Sequence, residues 1–177
     1  MTREIYTLGP QFIFEKWFFA MSRMRRVLRL SYESANASAQ LKGVKNVKYI
    51  LMMNNMKLGA EPFPGWAKKD MQAHIAFMMS FCKDLAESGQ LVSAEGLSFP
   101  DQAKLVRAGK NGEPITDGVF PEAKEFLAGY WIVDVDTPEQ AYAIAARASA
   151  APGPGGTPLN MPIEVRPVMT GPPPESL

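Results

Sequence analysis

His74 is the single histidine of this chain, and so the one side chain whose ordinary pKa lies near neutrality. It falls in a run where Met71, His74, Ile75, Met78, Cys82 and Leu85 recur at three- and four-residue spacings. That spacing predicts a helix with these residues on its inner stripe, so His74 points towards whatever the helix covers. Two readings follow. The imidazole is a general base, or it is a satisfied core histidine, and one histidine on an apolar stripe is weak evidence for the first. Asp117, Lys124 and Glu125 could line a pocket with Tyr130. Equally, Asp117 closes an Asx-turn while Lys124 and Glu125 form a solvated pair. Cys82 shares the apolar stripe with no basic neighbour, the setting of an inert packing thiol. Met52-Met53 and Met78-Met79 read as gap-filling core, and Glu164 and Arg166 as outward residues of a cross-strand or cross-dimer ion pair. No G-x-S-x-G, P-loop or H-E-x-x-H pattern is present, so those three chemistries find no support. One histidine and one cysteine are too few soft ligands for structural zinc, and neither a metal nor an organic cofactor is expected.

The elements that must position these residues are legible from local pattern. Residues 47–54 (VKYILMMN) form a β-run apolar on both faces, as in a central strand. Residues 56–66 carry Gly59, Pro62, Pro64 and Gly65 and read as a loop. The helix that holds His74 begins near Ala67 and ends at Gly89, a left-handed cap. Strands are predicted at residues 91–97 and 103–108, with a tight hairpin turn at Asn111-Gly112 and a return arm at Ile115-Thr116. Residues 127–135 form the strongest strand. Thr137 as N-cap, Pro138 as first helical residue and Gln140 in a capping box open a second helix. Its face of Ala141, Ile144, Ala145 and Ala148 is narrow and made mostly of small residues. A Pro/Gly loop over residues 150–160 leads to a half-exposed strand in which Ile163 and Val165 alternate with Glu164 and Arg166. The tail, residues 170–177, is proline-rich and expected to be disordered.

At 177 residues, 46% hydrophobic and 21% charged, the chain suits one domain with some excess. A net charge of +1 gives no global reason to expect a nucleic-acid or membrane partner. One cysteine excludes an internal disulfide framework and fits a reducing, cytoplasmic setting. Residues 1–46 differ from the rest, being basic and aromatic-rich, and residues 12–30 have the makings of an amphipathic helix. A docking or membrane-surface helix, a flexible extension, a helix packed on the domain and an upstream stretch from a mis-assigned start all remain open.

Strand, helix, strand, hairpin, strand, helix, strand is the order of an α+β sandwich of ferredoxin-like type with an extra hairpin. Such a sheet has one uncovered face. Apolar residues on both faces of residues 47–54 and 127–135 lead to the expectation of a homodimer that hides it.

The segment Asp117-Gly118-Val119-Phe120-Pro121-Glu122-Ala123-Lys124-Glu125 resembles the DGPFAETKE signature of the DGPF branch of the YCII-related family. Gly129-Tyr130-Trp131-Ile132-Val133-Asp134-Val135-Asp136 resembles the strand that follows it there. Lys48-Tyr49-Ile50-Leu51-Met52-Met53, Glu95-Gly96-Leu97 and Glu164-Val165-Arg166-Pro167-Val168-Met169 resemble further family blocks, in family order over residues 47–169. Val119, Pro121 and Ala123 depart from the signature without removing a charge. The resemblance implies a dimeric α/β barrel and a His–Asp acid–base dyad, for which His74 and Asp117 are the matching residues. It implies either a cofactor-independent small-molecule enzyme or ligand binder, or a regulatory protein linked to extracytoplasmic-function sigma factors. It also implies a native start near Val44 or Val47, with residues 1–46 untranslated.

Overall fold

β1 (Val47–Met56) lies inside a four-stranded antiparallel sheet, between β5 (Glu125–Val135) and β6 (Ile163–Pro167). β2 (Leu91–Gly96) takes the other edge, beside β5. The computed structural model describes residues 47–56, 65–98, 100–117 and 125–169 of the chain. Two helices, α1 (Lys68–Glu87) and α2 (Pro138–Ser149), connect β1 to β2 and β5 to β6. The strand order β2-β5-β1-β6 is that of the ferredoxin-like βαββαβ fold. A separate ribbon of β3 (Leu105–Ala108) and β4 (Pro114–Asp117) is inserted between β2 and β5. Among the described residues no helix is long and apolar enough to cross a membrane.

Side chains alternate across a strand, so one parity of each strand builds the core. Tyr49 and Leu51 of β1, Leu91 and Ala94 of β2, and Trp131, Val133 and Val135 of β5 share one buried cluster with both helices. α1 contributes Met78, Phe81, Cys82, Leu85 and Ala86, and α2 the four residues of its predicted face, Ala141, Ile144, Ala145 and Ala148. Both helices therefore cover the same face of the sheet. Phe81 was not part of the predicted stripe, yet it is among the largest fully buried side chains, whereas Ile75 is only half-buried. Phe81 meets Trp131 edge-on at 5.7 Å between ring centroids and stacks near-parallel with Phe77. Each such fully buried large apolar side chain stabilises the fold by roughly 1.5–3 kcal/mol.

The helix ends follow local rules. Gly89 has φ +73, Gln90 N donates to Leu85 O and Gly89 N donates to Ala86 O, which together make a Schellman cap. At α2 the Thr137 Oγ1 accepts from Gln140 N, while the Gln140 side chain accepts from Asp136 N, one residue before the expected partner. The hairpin turn differs from the expectation. Only Gly112 has positive φ, and Gly112 N donates to Gly109 O while Gly109 N donates to Glu113 O. These bonds define a three-residue loop closed by a left-handed glycine, which needs one positive φ rather than two. β1 and β5 each extend two residues beyond their expected ends towards one another, since Asn55 pairs with Phe126 and Met56 with Glu125.

Gly129 marks a close approach of two strands. A Cβ there would lie 2.8 Å from the backbone oxygen of Glu95. The β1–β5 ladder slips at the same point, between Met53 and Asn54. Gly129→Ala should force β2 away from β5 and lower stability by about 1–3 kcal/mol. Chemical denaturation checks this, and an unchanged midpoint would show that the strands adapt freely.

Candidate functional site

α1 carries His74 inwards, as its spacing predicts, and leaves it only 8% exposed. Its Nδ1 lies 3.0 Å from the carbonyl oxygen of Pro152, in the loop that follows α2. A carbonyl only accepts, so Nδ1 carries the proton and Nε2 is the basic atom of the neutral ring. Trp66, just before α1, meets the imidazole edge-on with 5.6 Å between centroids. Burial pushes the His74 pKa below its ordinary 6.5, and the Pro152 carbonyl opposes that shift without overcoming it. The ring is thus held neutral, in one tautomer, at neutral pH.

The loop that supplies this carbonyl is itself ordered by internal bonds. Pro152 and Pro158 form a bridge, Gly153 N donates to Thr157 O, and Leu159 N donates to Ala151 O. Gly155 and Gly156, both with positive φ, let the chain reverse between them. His74 ties this reversal to α1.

Cys82, two turns along the same stripe, is 1% exposed. Burial raises its thiol pKa to about 11, although Trp131 Nε1 donates to Sγ at 3.4 Å and partly offsets the rise. Such a thiol is a packing group rather than a nucleophile.

The other sequence-derived candidates fall elsewhere. Asp117 ends β4 on the exposed ribbon, where its carboxylate accepts from Arg107 at 2.6 Å. The structure thus pairs Asp117 with Arg107 rather than with His74. Tyr130 lies between Gly129 and Trp131 on β5. Because Trp131 faces α1, Tyr130 faces the opposite side of the sheet from His74. Glu125 is exposed at the start of β5, opposite Met56. Lys124 lies outside the described residues, as do residues 118–123 of the DGPF-like segment. Glu164 and Arg166 do face outward, but they lie 3.9 Å from each other within one strand rather than pairing across strands.

Sequence reasoning missed three participants. Arg107 could have been found by folding the hairpin about Gly112, which brings β3 beside β4. Trp66 stood unassigned at the end of a loop. The Pro152 carbonyl has no signal in sequence, since any residue type offers one. Among the described residues no group of three His, Cys, Asp or Glu side chains is placed to hold a metal ion.

The depressed pKa has a consequence for stability. As pH falls, the unfolded chain protonates His74 near 6.5, while the folded chain does so only at lower pH. The unfolded state therefore binds more protons across that window, and stability declines as pH drops through it. Melting temperature should fall from about pH 7 to about pH 5.5, and His74→Gln should flatten that segment of the profile. Identical slopes for both proteins would show that the imidazole is not desolvated as described.

No curated protein matches the chain in sequence. The sequence model of the YCII-related domain matches residues 47–155, from the first residue of β1 through both helices to the loop that holds Pro152. With that match spanning more than half its length, the chain belongs to the YCII-related domain family.

Proposed function

We propose that this YCII-related chain binds a small molecule at His74 and uses that imidazole as a proton acceptor, in an elimination or isomerisation that needs no cofactor. The observation that carries the reading is the Nδ1–Pro152 hydrogen bond. A base must present a lone pair in a defined direction, and a backbone carbonyl on Nδ1 orients the ring as a carboxylate would. Desolvation keeps the ring in its neutral form at pH 7, the form able to take a proton. A positioned base of this kind typically contributes about 10²–10⁴-fold to a rate. The Trp66 edge supplies an apolar wall for a flat or hydrophobic substrate.

In this reading the Pro152 carbonyl, not Asp117, sets the tautomer. Asp117 is the acid of the pair only if it exchanges Arg107 for the imidazole. Lys124 and Glu125 are then candidates for recognising the substrate rather than for moving its proton, whereas Tyr130, on the opposite face of the sheet, drops out of a site built on His74.

A second reading, an interaction protein with a transcription-related partner such as a sigma factor, has its own support. The β3–β4 ribbon exposes Val106 (61%) and Ile115 (45%), one on each of its faces, apolar side chains of the kind a protein partner would bury. His74 bonded to backbone is also what a core histidine would do.

The readings part in a thermal-shift screen of small carboxylic acids and aromatic compounds on wild type and His74→Gln. A true ligand at about 100 times its Kd should stabilise the wild type by about 2.7 kcal/mol, a rise of several degrees, and the variant by much less. Compounds that stabilise both proteins equally would remove His74 from the site and leave the interaction reading.

A further inference from the structure

The partner of His74 is one half of a peptide group, and the other half is held as well. The Pro152 carbonyl accepts from Nδ1 of the imidazole at 3.0 Å. The N–H of the same peptide unit, on Gly153, donates to the Thr157 oxygen at 2.7 Å. Hydrogen bonds in such a chain polarise one another, so drawing the amide proton towards Thr157 makes the Pro152 oxygen a better acceptor. A peptide gripped at both ends also resists rotation. It offers the ring what the aspartate offers in a Ser-His-Asp arrangement, a fixed direction and negative charge beside Nδ1.

The loop leaves this peptide little other choice. Pro152, Pro154 and Pro158 have no N–H, and the Gly156, Thr157 and Leu159 amides donate to the Gly153, Pro154 and Ala151 oxygens. Pro158 restricts the residue before it to extended backbone, and Thr157 has φ −68 and ψ 135. Gly153 is buried. Its φ of −101 is open to any residue, so conformational freedom is not what glycine supplies there. Space is. A Cβ at Gly153 would lie 2.7 Å from Leu159 Cδ2 and 3.1 Å from the Thr157 oxygen to which its own N–H bonds. Residues 150–160 include no charged side chain, so none from this loop competes for the imidazole.

From this geometry we infer that Gly153 is a positioning residue for His74. By leaving the space beside Leu159 empty, it lets the 152–153 peptide close on Thr157 and hold the imidazole as its Nδ1–H tautomer. This role rests on the reading of His74 as a base, for which it names the group that aims the lone pair. When Nε2 takes up a proton, positive charge is shared with Nδ1–H, and the polarised carbonyl stabilises it there. The Pro152 bond accordingly favours the charged ring.

Nitrogen-15 spectra of the untagged chain test the assignment, since one histidine gives one pair of ring signals. At about pH 8, where the ring is neutral, the wild type should show a proton on Nδ1 alone. Gly153→Ala should replace that pattern with a mixture of both tautomers. Adding Leu159→Ala should restore the single form by making room for the new methyl group. Pro158→Ala, which only relaxes Thr157, should also give a mixture, and it decides the matter if Gly153→Ala does not fold. Gly129→Ala disturbs the sheet at Glu95 instead, and should leave the ring signals unchanged, so lost stability alone does not imitate the effect. A wild type protonated on Nε2, or the wild-type pattern kept in both Gly153→Ala and Pro158→Ala, would overturn the inference. So would a mixture that Leu159→Ala does not reverse. The spectra need no ligand. A ligand screen that fails leaves this result standing, and failure here leaves the screen to judge whether His74 binds anything.

Discussion

Trp131 packs its ring against Phe81 and points its indole N–H at Cys82, and much of the molecule follows from that contact. It fixes which parity of β5 faces the helices. Val133 and Val135 must then be core, while Tyr130, Ile132 and Asp134 must face the other side. The antiparallel ladder passes the same choice to β1, where Tyr49 and Leu51 turn inwards and Ile50 and Met52 outwards. A one-residue slip in β5 would invert every one of these assignments. The sheet therefore divides the candidate residues into two sets that cannot share a site across it.

On the helix-covered side, two of the buried side chains that can carry a charge, His74 and Cys82, each have a specific hydrogen-bond partner. His74 and Cys82 lie on one stripe of one helix, yet burial drives their pKa values in opposite directions. The common cause is desolvation, which penalises whichever form is charged: imidazolium in one case, thiolate in the other. Each group also has a hydrogen bond that favours its charged form, and in each the bond is the smaller effect. Cys82 is thereby silenced. His74 is left neutral with its donor nitrogen engaged, which is the state a base requires.

The YCII-related match runs from β1 through α2, the β3–β4 ribbon included, and β6 completes the sheet just beyond the matched residues. The β3–β4 ribbon holds an exposed Arg107–Asp117 pair, and such surface pairs contribute little to stability, about 0–1 kcal/mol. Arg147 does more than its pairing with Asp84 suggests, since its guanidinium also lies 5.4 Å from the Phe81 ring centroid and links α2 to the aromatic cluster.

The elements themselves were legible in the sequence because the rules that make them are local. Three- and four-residue spacing placed α1, Gly89 stopped it, Thr137-Pro138 started α2, and alternation marked β6. Their order along the chain was enough to indicate a ferredoxin-like α+β fold. Errors arose where the deciding contact was not local. Phe81 appeared to lie off the stripe until Trp131 arrived from the far strand, and the hairpin turn depended on a closing bond from Gly109 to Glu113. The site shows the same division. Sequence put His74 on an inner helix face, but its tautomer and its partner were set by a carbonyl 78 residues away. It offered Asp117 and Tyr130 as companions, and tertiary structure bonded one to Arg107 and turned the other to the opposite face of the sheet. Periodicity tells a side chain which way to point from its own element; only packing decides what waits there.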